Sequence, residues 1–135
     1  MKIKIRRLNK IAKIPTYSHE NSAGFDIYTS ESVTIESLST EIIRTGIAIE
    51  LPVGYSLEIY QRPELSGNYP NYLANCIELI DSNFKGELVI VFRNSFFSKT
   101  INIPAFTCIA QGVVRIFAHA EFEEVEETKC LCQIA

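Results

Sequence analysis

The stretch TGIAIELPVGYSLEIY, residues 45–60, decides the fold class of this chain. Apolar side chains recur at every second position from Ile47 to Leu51, and the alternation resumes at Tyr55 after the turn signal Pro-Val-Gly. A period of two puts successive side chains on opposite faces of a strand, whereas an amphipathic helix needs a period near 3.6. The stretch therefore predicts two β-strands joined by a short turn.

The same alternation recurs along the chain, and no window keeps helical spacing for three turns. Turn signals such as ENSAG, SNFKG and RNSFFS separate the apolar runs. A short helix within Ser66–Tyr72 is an alternative, which Gly67 and Pro70 disfavour. Many short strands at this spacing predict one all-β domain, a sandwich or barrel of jelly-roll type. The predicted strands are Ile3–Arg7, Phe25–Thr29, Val33–Ile35, Glu41–Ile43, Gly46–Glu50, Tyr55–Tyr60, Leu73–Ile80, Glu87–Arg93, Thr100–Ile103, Cys108–Phe117 and Glu121–Val125.

Composition and charge narrow the class of ligand. The 135 residues suit one domain, and 47% hydrophobic with 21% charged residues describe a soluble globular protein. The net charge of −3 gives no general basic field, which argues against a nucleic-acid polymer but leaves room for a small anion held by a few cations. No stretch approaches a membrane span, and MKIKIRRLNK lacks the apolar core of a secretion signal. We therefore expect a protein that is not secreted, located in the cytoplasm or in the nucleus of an infected or host cell.

The four cysteines do not form paired clusters with zinc-ligand spacing. Cys76 and Cys108 are predicted to be small core residues in a reducing compartment. The C-terminal pair, Cys130 and Cys132, allows three interpretations: a cross-link, adventitious metal binding, or no role.

Asp81 interrupts an apolar run in ELIDSNFKGEL, residues 78–88. An Asp in that position is typically half-buried, so its carboxylate either caps the following turn or carries a charge for chemistry. Asp-Ser-Asn is ordinary turn chemistry, because these side chains hydrogen-bond to nearby backbone groups. The segment alone leaves both interpretations open.

Three further segments each carry a weak signal. Asp26 lies on a predicted strand, where it is either solvated or functional. Arg62 ends a strand before a loop with Ser66-Gly67; these groups could hold phosphate or be surface residues. Gln111 is an amide among apolar residues, so it is satisfied by backbone or directed at a polar ligand.

Taken together, AGFDIYT, QRP, LANCIELIDSNFKGEL and CIAQ follow the order and spacing of the homotrimeric deoxyuridine triphosphatase (dUTPase) family. The resemblance runs from about Ile3 to Thr128, so we expect a dUTPase-like domain over residues 1–128 and a short tail over 129–135. It implies a distorted jelly roll of the β-clip type, a homotrimer, and active sites at subunit interfaces. It also implies hydrolysis of dUTP to dUMP and pyrophosphate, with Mg²⁺ bound mainly by the triphosphate and water. The dCTP deaminases are fold relatives, but the segment around Asp81 resembles the hydrolase version.

The resemblance assigns a role to each candidate residue. Asp81 matches the acid that orients and activates the attacking water, a general-base step worth about a hundredfold to ten-thousandfold. Asn75 matches the residue of the base-recognition hairpin that reads uracil, and Phe84 matches an aromatic, usually Tyr, that stacks under the deoxyribose. Asp26 matches the acid that contacts metal-bound water. The phosphate-binding matches are Arg62 and Gln111.

The phosphate-handling segments depart most from the family. After Arg62 the family reads Ser-Gly, whereas this chain reads Pro63-Glu64, which removes a backbone N–H and adds a negative charge. Ser66 and Gly67 would substitute only through a three-residue loop shift with a compensating contraction before Asn75.

Other departures lie outside that loop. Glu78 replaces a usual Gly, and Phe-Thr-Cys at 106–108 stands where Gly-Asp-Arg is common. The Gly-rich fifth motif, with its Arg and Phe, has no match after EEVEET. The sequence therefore predicts that base-reading and water-activating positions survive better than phosphate-handling ones.

Two functions remain open at this stage. The first is a dUTP pyrophosphatase whose activity is weakened or lost. The second is a non-catalytic trimer that sequesters a nucleotide, or binds a protein partner through the loop 64–72 with Tyr69 and Tyr72.

Overall fold

The computed structural model describes residues 1–62 and 71–125, and within these residues the chain is all β, as predicted. It contains eleven strands and no helix there. The strands are β1 Lys4–Arg7, β2 Phe25–Tyr28, β3 Val33–Ile35, β4 Thr40–Arg44, β5 Ile47–Glu50, β6 Tyr55–Gln61, β7 Asn71–Leu73, β8 Glu78–Ile80, β9 Val89–Asn94, β10 Ile101–Ile103 and β11 Cys108–Ile116.

The strands form small antiparallel sheets. The largest has the order β2-β11-β6-β8, and a three-stranded sheet has the order β4-β9-β7. Two pairs, β1-β5 and β10-β3, complete the arrangement. The long strand β11 lies between β2 and β6, so it brings residues from distant parts of the sequence to one sheet.

The core follows the alternation read from the sequence. In β9 the burial pattern alternates residue by residue, with Ile90 and Phe92 buried. In β6 the side chains of Leu57 and Ile59 are fully buried, and Ile109 of β11 is also fully buried. These apolar side chains fix the register of each strand, since a slip of one residue would turn them toward solvent.

Two strand predictions are wrong. The run Leu73–Ile80 is not one strand, because Cys76 has a positive φ of 62° and separates β7 from β8. These two strands pair with different partners, β9 and β6, so no hairpin ladder joins them. The segment Glu121–Val125 forms no strand. Of the helix alternative, residues 66–70 lie outside the described residues, and Asn71 and Tyr72 belong to β7.

The cysteine predictions are corrected in part. Cys76 is exposed and not a core residue, because the turn that contains it projects its side chain from the sheet. Cys108 is half-buried, and both thiols are free. Cys130 and Cys132 lie outside the described residues. Among the described residues, no helix is long and apolar enough to cross a membrane.

Asn94 is a fully buried polar residue at the end of β9. Its Nδ2 donates to the carbonyl oxygens of Ile35, Glu36 and Lys99 at 3.0, 3.1 and 2.8 Å. Its Oδ1 accepts from the Phe96 N–H at 2.9 Å. One amide thus joins backbone groups of two segments, residues 35–36 and residues 96–99.

We predict that Asn94→Ala lowers the free energy of unfolding by about 3 kcal/mol or more, because it leaves several buried backbone groups without partners. Urea denaturation at fixed protein concentration measures the change. The control is Asn102→Ala, which removes an exposed amide that accepts from Thr34. Equal small effects of the two substitutions would contradict this account of Asn94.

Candidate active site

Three predicted site residues meet at one end of the largest sheet. Asp26 lies on β2, Gln111 on β11, and Arg62 directly follows β6. In the strand register Gln111 lies opposite Asp26 on one side and Tyr60 on the other. The sheet therefore brings together residues that the sequence separates by up to 85 positions.

Arg62 and Asp26 form an ion pair between Nη1 and Oδ1. Their side chains are only 21% and 12% exposed, so solvent screens the pair less than it would at the surface. Gln111 Nε2 donates to the Gln61 carbonyl at 3.1 Å. The amide oxygen of Gln111 is close to Gly24, where a Cβ would lie 3.0 Å from it. A side chain at position 24 would therefore push the amide aside.

Cys108 lies beside this ion pair. Burial, and next the nearby carboxylate of Asp26, raise the pKa of the Cys108 thiol from its ordinary value to about 11. The thiol is therefore neutral at physiological pH and adds no charge to the pair. Asp26 and Arg62 neutralise one another without a third ionised group from Cys108.

Asp81 lies in the turn between β8 and β9, and it is exposed rather than half-buried. Its Oδ1 accepts the Asn83 N–H at 2.9 Å, and its carbonyl accepts the Phe84 N–H at 3.3 Å. The capping interpretation is thus correct for one carboxylate oxygen. Among the described residues no hydrogen bond occupies the other oxygen, so it is available to a ligand.

An open pocket of about 380 Å³ adjoins Asp81. It is lined by Ser56, Leu79, Asp81, Ser82, Asn83, Phe117 and His119. Sequence reasoning did not identify Ser56 or His119 as part of this site. The register of β6 against β8 brings Ser56 near Asp81, and His119 follows the end of β11. A pattern read along one strand at a time carries no such cross-strand information.

The end of the Asp81 turn is anchored by Glu87. Its Oε2 accepts from Arg44 Nε and Nη2 at 3.0 and 2.6 Å, and its Oε1 accepts the Gly46 N–H at 2.9 Å. Arg44, and then the Gly46 N–H, hold the pKa of the Glu87 carboxyl below its ordinary value, although burial partly opposes them. Phe84 is partly exposed, and its ring lies over Gly86.

Asn75 and Glu78 form a third local group. Asn75 is exposed in the turn between β7 and β8, and its Nδ2 donates to Glu78 Oε2. The turn is held by the Cys76 N–H to the Leu73 carbonyl at 3.0 Å and by the Ile77 N–H to the Asn75 carbonyl at 2.7 Å. Ser66 and Gly67 lie outside the described residues, as does most of the loop 64–72.

Asp81 and Arg62 lie near opposite ends of β6. Asp81 shares its pocket with Ser56, whereas Arg62 follows the last residue of the strand, Gln61. The six residue-to-residue steps from Ser56 to Arg62 span about 20 Å at about 3.3 Å per step. Asp81 and Arg62 of one chain therefore do not meet at one phosphate group.

Comparison with known proteins identifies the family. The family model described as dUTPase matches residues 10–133. A deoxyuridine 5'-triphosphate nucleotidohydrolase of Helicobacter pylori is 36% identical over 127 residues, covering 94% of this chain and 87% of the relative. The chain belongs to the dUTPase family. A relative of the same name from Wolinella succinogenes is 36% identical over 126 residues, covering 93% of this chain and 84% of its own.

Solved structures agree on the fold. The dUTPase of phage phi11 of S. aureus superimposes with a TM-score of 0.89 at 23% identity, covering 96% of this chain and 99% of that one. The Staphylococcus bacteriophage 80alpha dUTPase with dUPNHPP gives 0.88 at 23% identity, covering 98% and 92%. The expected jelly-roll, β-clip fold of the dUTPase family is confirmed. The curated relatives named here are bacterial, and they give the nuclear location no support.

We predict that Glu87→Gln lowers the free energy of unfolding by about 1 kcal/mol at neutral pH, because it removes an ion pair with the largely exposed Arg44. The native pKa of Glu87 is depressed, so this stabilisation is present above the unfolded-chain pKa of about 4.3 and is lost as pH falls through the native pKa. Urea denaturation should therefore show the variant and the wild type converging from pH 6 to pH 3.

The control is Glu41→Gln, an exposed carboxylate on β4. It should change stability by less than about 0.5 kcal/mol at each pH. If the free energies of unfolding of the wild type and Glu87→Gln differed by the same amount from pH 6 to pH 3, that result would contradict the assigned pKa shift.

Proposed function

We propose that this chain is a weakened dUTP diphosphatase that acts as a homotrimer, with Asp81 as general base. The observation that carries the proposal is the ion pair between Arg62 and Asp26. The family resemblance assigns Arg62 to the phosphates and Asp26 to metal-bound water. In this structure the two side chains bind each other. A triphosphate must compete with Asp26 for Arg62, so part of its binding free energy is lost in separating them.

The sequence beside Arg62 supports the same conclusion. Pro63 has no backbone N–H to donate to a phosphate oxygen, and Glu64 adds negative charge next to an anion. Loss of one preorganised donor typically costs about 3–4 kcal/mol in the transition state. Gln111 keeps an amide at this end of the sheet, but its Nε2 already donates to Gln61.

The geometry of the Asp81 turn supports the proposed role of general base. One carboxylate oxygen is fixed by the Asn83 N–H, which orients the group, and the other is available to accept a proton from a water molecule. In this proposal Asn75 reads the base, and Phe84 stacks under the deoxyribose. The Phe84 ring keeps the stacking surface of the usual Tyr without its hydroxyl.

A second copy of the chain is required to complete this site. In one protomer Arg62 is about 20 Å along β6 from Ser56, the residue that shares the pocket of Asp81, as estimated from the rise of the strand. Exposed apolar side chains lie beside the Asp81 pocket, with Leu79 and Phe117 at 68% and 41% exposure. Such a rim is typical of a surface that a partner covers. We propose that one protomer supplies Asp81 and Asn75, and that its neighbour supplies Arg62, Asp26 and Gln111.

Mg²⁺ fits this site as an ion carried by the triphosphate. No group of three His, Cys, Asp or Glu side chains in residues 1–62 and 71–125 could form a protein cage for a metal. Asp26 is the residue that would contact the ion through water, once Arg62 has moved to the phosphates. When bound, Mg²⁺ would neutralise phosphate charge. The phi11 relative is described with a structural Mg(II) ion.

The non-catalytic alternative rests on the same ion pair. If Arg62 stays with Asp26, the trimer would sequester a nucleotide without hydrolysing it. A protein partner at the loop 64–72 is a further possibility, for which the described part offers the 45% exposed Tyr72. Turnover and binding measurements separate these outcomes.

We predict that the wild type releases pyrophosphate from dUTP with Mg²⁺ at less than about 1 s⁻¹, the low end for ordinary enzymes. Asp81→Asn should reduce this rate at least about a hundredfold, because the amide accepts no proton. Asn83→Ala is the control: it keeps the Asp81 carboxylate and the residue 83 N–H that orients it. Turnover unaffected by Asp81→Asn would refute the assigned base, and dUTP binding by calorimetry without turnover would favour sequestration.

We also predict that mixed trimers recover activity. When Asp81→Asn and Arg62→Ala chains are unfolded and refolded together in equal amounts, about a quarter of the sites combine an intact Asp81 with an intact Arg62 from the neighbour. The mixture should therefore show about a quarter of the wild-type rate, whereas each variant alone is inactive. No recovery would mean that both residues act within one protomer.

A further inference from the structure

Ser56 is a buried polar residue in the wall of the Asp81 pocket. The residue is only 6% exposed, and it lines the same pocket of about 380 Å³ as Asp81. Within residues 1–62 and 71–125, no hydrogen bond of the chain includes the Ser56 hydroxyl. A buried hydroxyl without a partner costs free energy unless a ligand or a water molecule satisfies it.

The Ser56 hydroxyl opens into the pocket. Every fully buried side-chain oxygen and nitrogen in the described part of the chain has a hydrogen-bond partner. The unpaired oxygen of Ser56 is therefore not sealed inside the protein, and the Asp81 pocket is the space that this residue lines. A water molecule bound there can supply the missing hydrogen bond.

Ser30 shows how a buried serine is satisfied elsewhere in this fold. It is 4% exposed, and its Oγ donates to the Arg44 carbonyl at 3.1 Å. Buried hydroxyls are normally paired in this way. Ser56 is an exception to that rule, and its position on the pocket gives a physical reason for the exception.

The strand register brings Ser56 close to Asp81. In the pairing of β6 with β8, Leu57 lies opposite Ile80, and Ser56 and Asp81 are the next residues on each side. Opposite residues of an antiparallel pair point to the same face, with Cβ atoms about 4.5–5.5 Å apart. No direct hydrogen bond joins the two side chains in the described structure. This separation suits two groups that share one water molecule.

The other polar residues of the pocket are more accessible to solvent. Asn83 and His119 are exposed, and Ser82 is half-buried. A water molecule held by exposed side chains exchanges readily with bulk solvent. Ser56 is the most buried polar residue of the pocket lining, so a water molecule that it binds is the best ordered.

We propose that Ser56 binds and orients the water molecule that Asp81 activates. The water donates one O–H to the open carboxylate oxygen of Asp81 and the other to Ser56 Oγ, which leaves a lone pair directed at the substrate phosphorus. In the hydrolytic step the first O–H bond breaks and its proton passes to Asp81. The lone pair forms the new P–O bond, and diphosphate leaves with the electron pair of the broken one. The inference rests on the proposed function, because it takes Asp81 as the general base.

Ser56→Ala tests this role through the kinetics of dUTP hydrolysis with Mg²⁺. The kcat should fall about tenfold with KM unchanged, because the lost contact orients the water and not the nucleotide. The temperature of thermal unfolding should not fall, since the substitution removes no hydrogen bond within the described part of the chain. Ser30→Ala is the matched control: it loses a buried hydrogen bond, so it should unfold at a lower temperature and keep the wild-type kcat.

High-resolution crystal structures of the wild type and Ser56→Ala give a measurement that does not depend on turnover. The wild type should contain an ordered water molecule within about 3.2 Å of both Ser56 Oγ and Asp81 Oδ2. The variant should lack this water molecule, while the Asp81 turn keeps its conformation.

The outcomes separate this inference from the proposed function. Hydrolysis by the wild type with an equal kcat for folded Ser56→Ala would overturn the inference alone, and so would a wild-type crystal structure without the shared water. A lower unfolding temperature for Ser56→Ala, with kcat and KM unchanged, would show that Ser56 has a purely structural role. Absence of turnover in the wild type would refute the proposed function, and the role of Ser56 in hydrolysis with it.

Discussion

The ion pair between Arg62 and Asp26 is the interaction on which the state of this site depends. It links the end of β6 to β2, which lie on either side of β11. The pair neutralises the two charged residues that the dUTPase family resemblance assigns to the triphosphate and its metal. The neighbouring Cys108 thiol has a pKa raised to about 11, so it is neutral and adds no charge beside the pair. The family resemblance described above places Arg at position 108, where this chain has Cys. In this chain Asp26 is paired with Arg62, and we propose that a nucleotide has to compete with Asp26 for that cation.

The geometry of β6 imposes the second constraint. Because β8 runs antiparallel to β6, the chain emerges from β8 beside Ser56, far from the Arg62 end. Asp81, the proposed general base, and Arg62, the proposed phosphate ligand, are therefore separated by the length of the strand. The proposed homotrimer, in which a neighbouring protomer supplies the other half of the site, would resolve the separation. It also gives the exposed Leu79 and Phe117 an apolar surface to contact.

Much of the fold can be predicted from the sequence. Apolar and polar residues alternate along a strand when one of its faces is buried, and this pattern is visible in a short stretch of sequence. The strands from β1 to β6 and β9 to β11 are predicted within a few residues. The break at Cys76 is missed, because a positive φ at a residue other than Gly has no signature in the apolar pattern. The segment Glu121–Val125 is predicted as a strand from the sequence but has no partner strand within the described part of one chain. Sequence motifs identify the candidate residues. The ion pair between Arg62 and Asp26 could not be predicted, because it depends on how the strands are paired, which the sequence motifs do not show.

The most direct test of this account is the effect of Cys108→Arg on dUTP turnover, with trimer mass and thermal unfolding as checks on folding. A second cation beside Asp26 should release Arg62 to the phosphates, so kcat/KM should rise at least about tenfold, equivalent to about 1.4 kcal/mol of transition-state stabilisation. The neutral substitution Cys108→Ser should leave it unchanged. A folded Cys108→Arg trimer with unchanged or lower kcat/KM would contradict the claim that the Arg62–Asp26 pair limits catalysis.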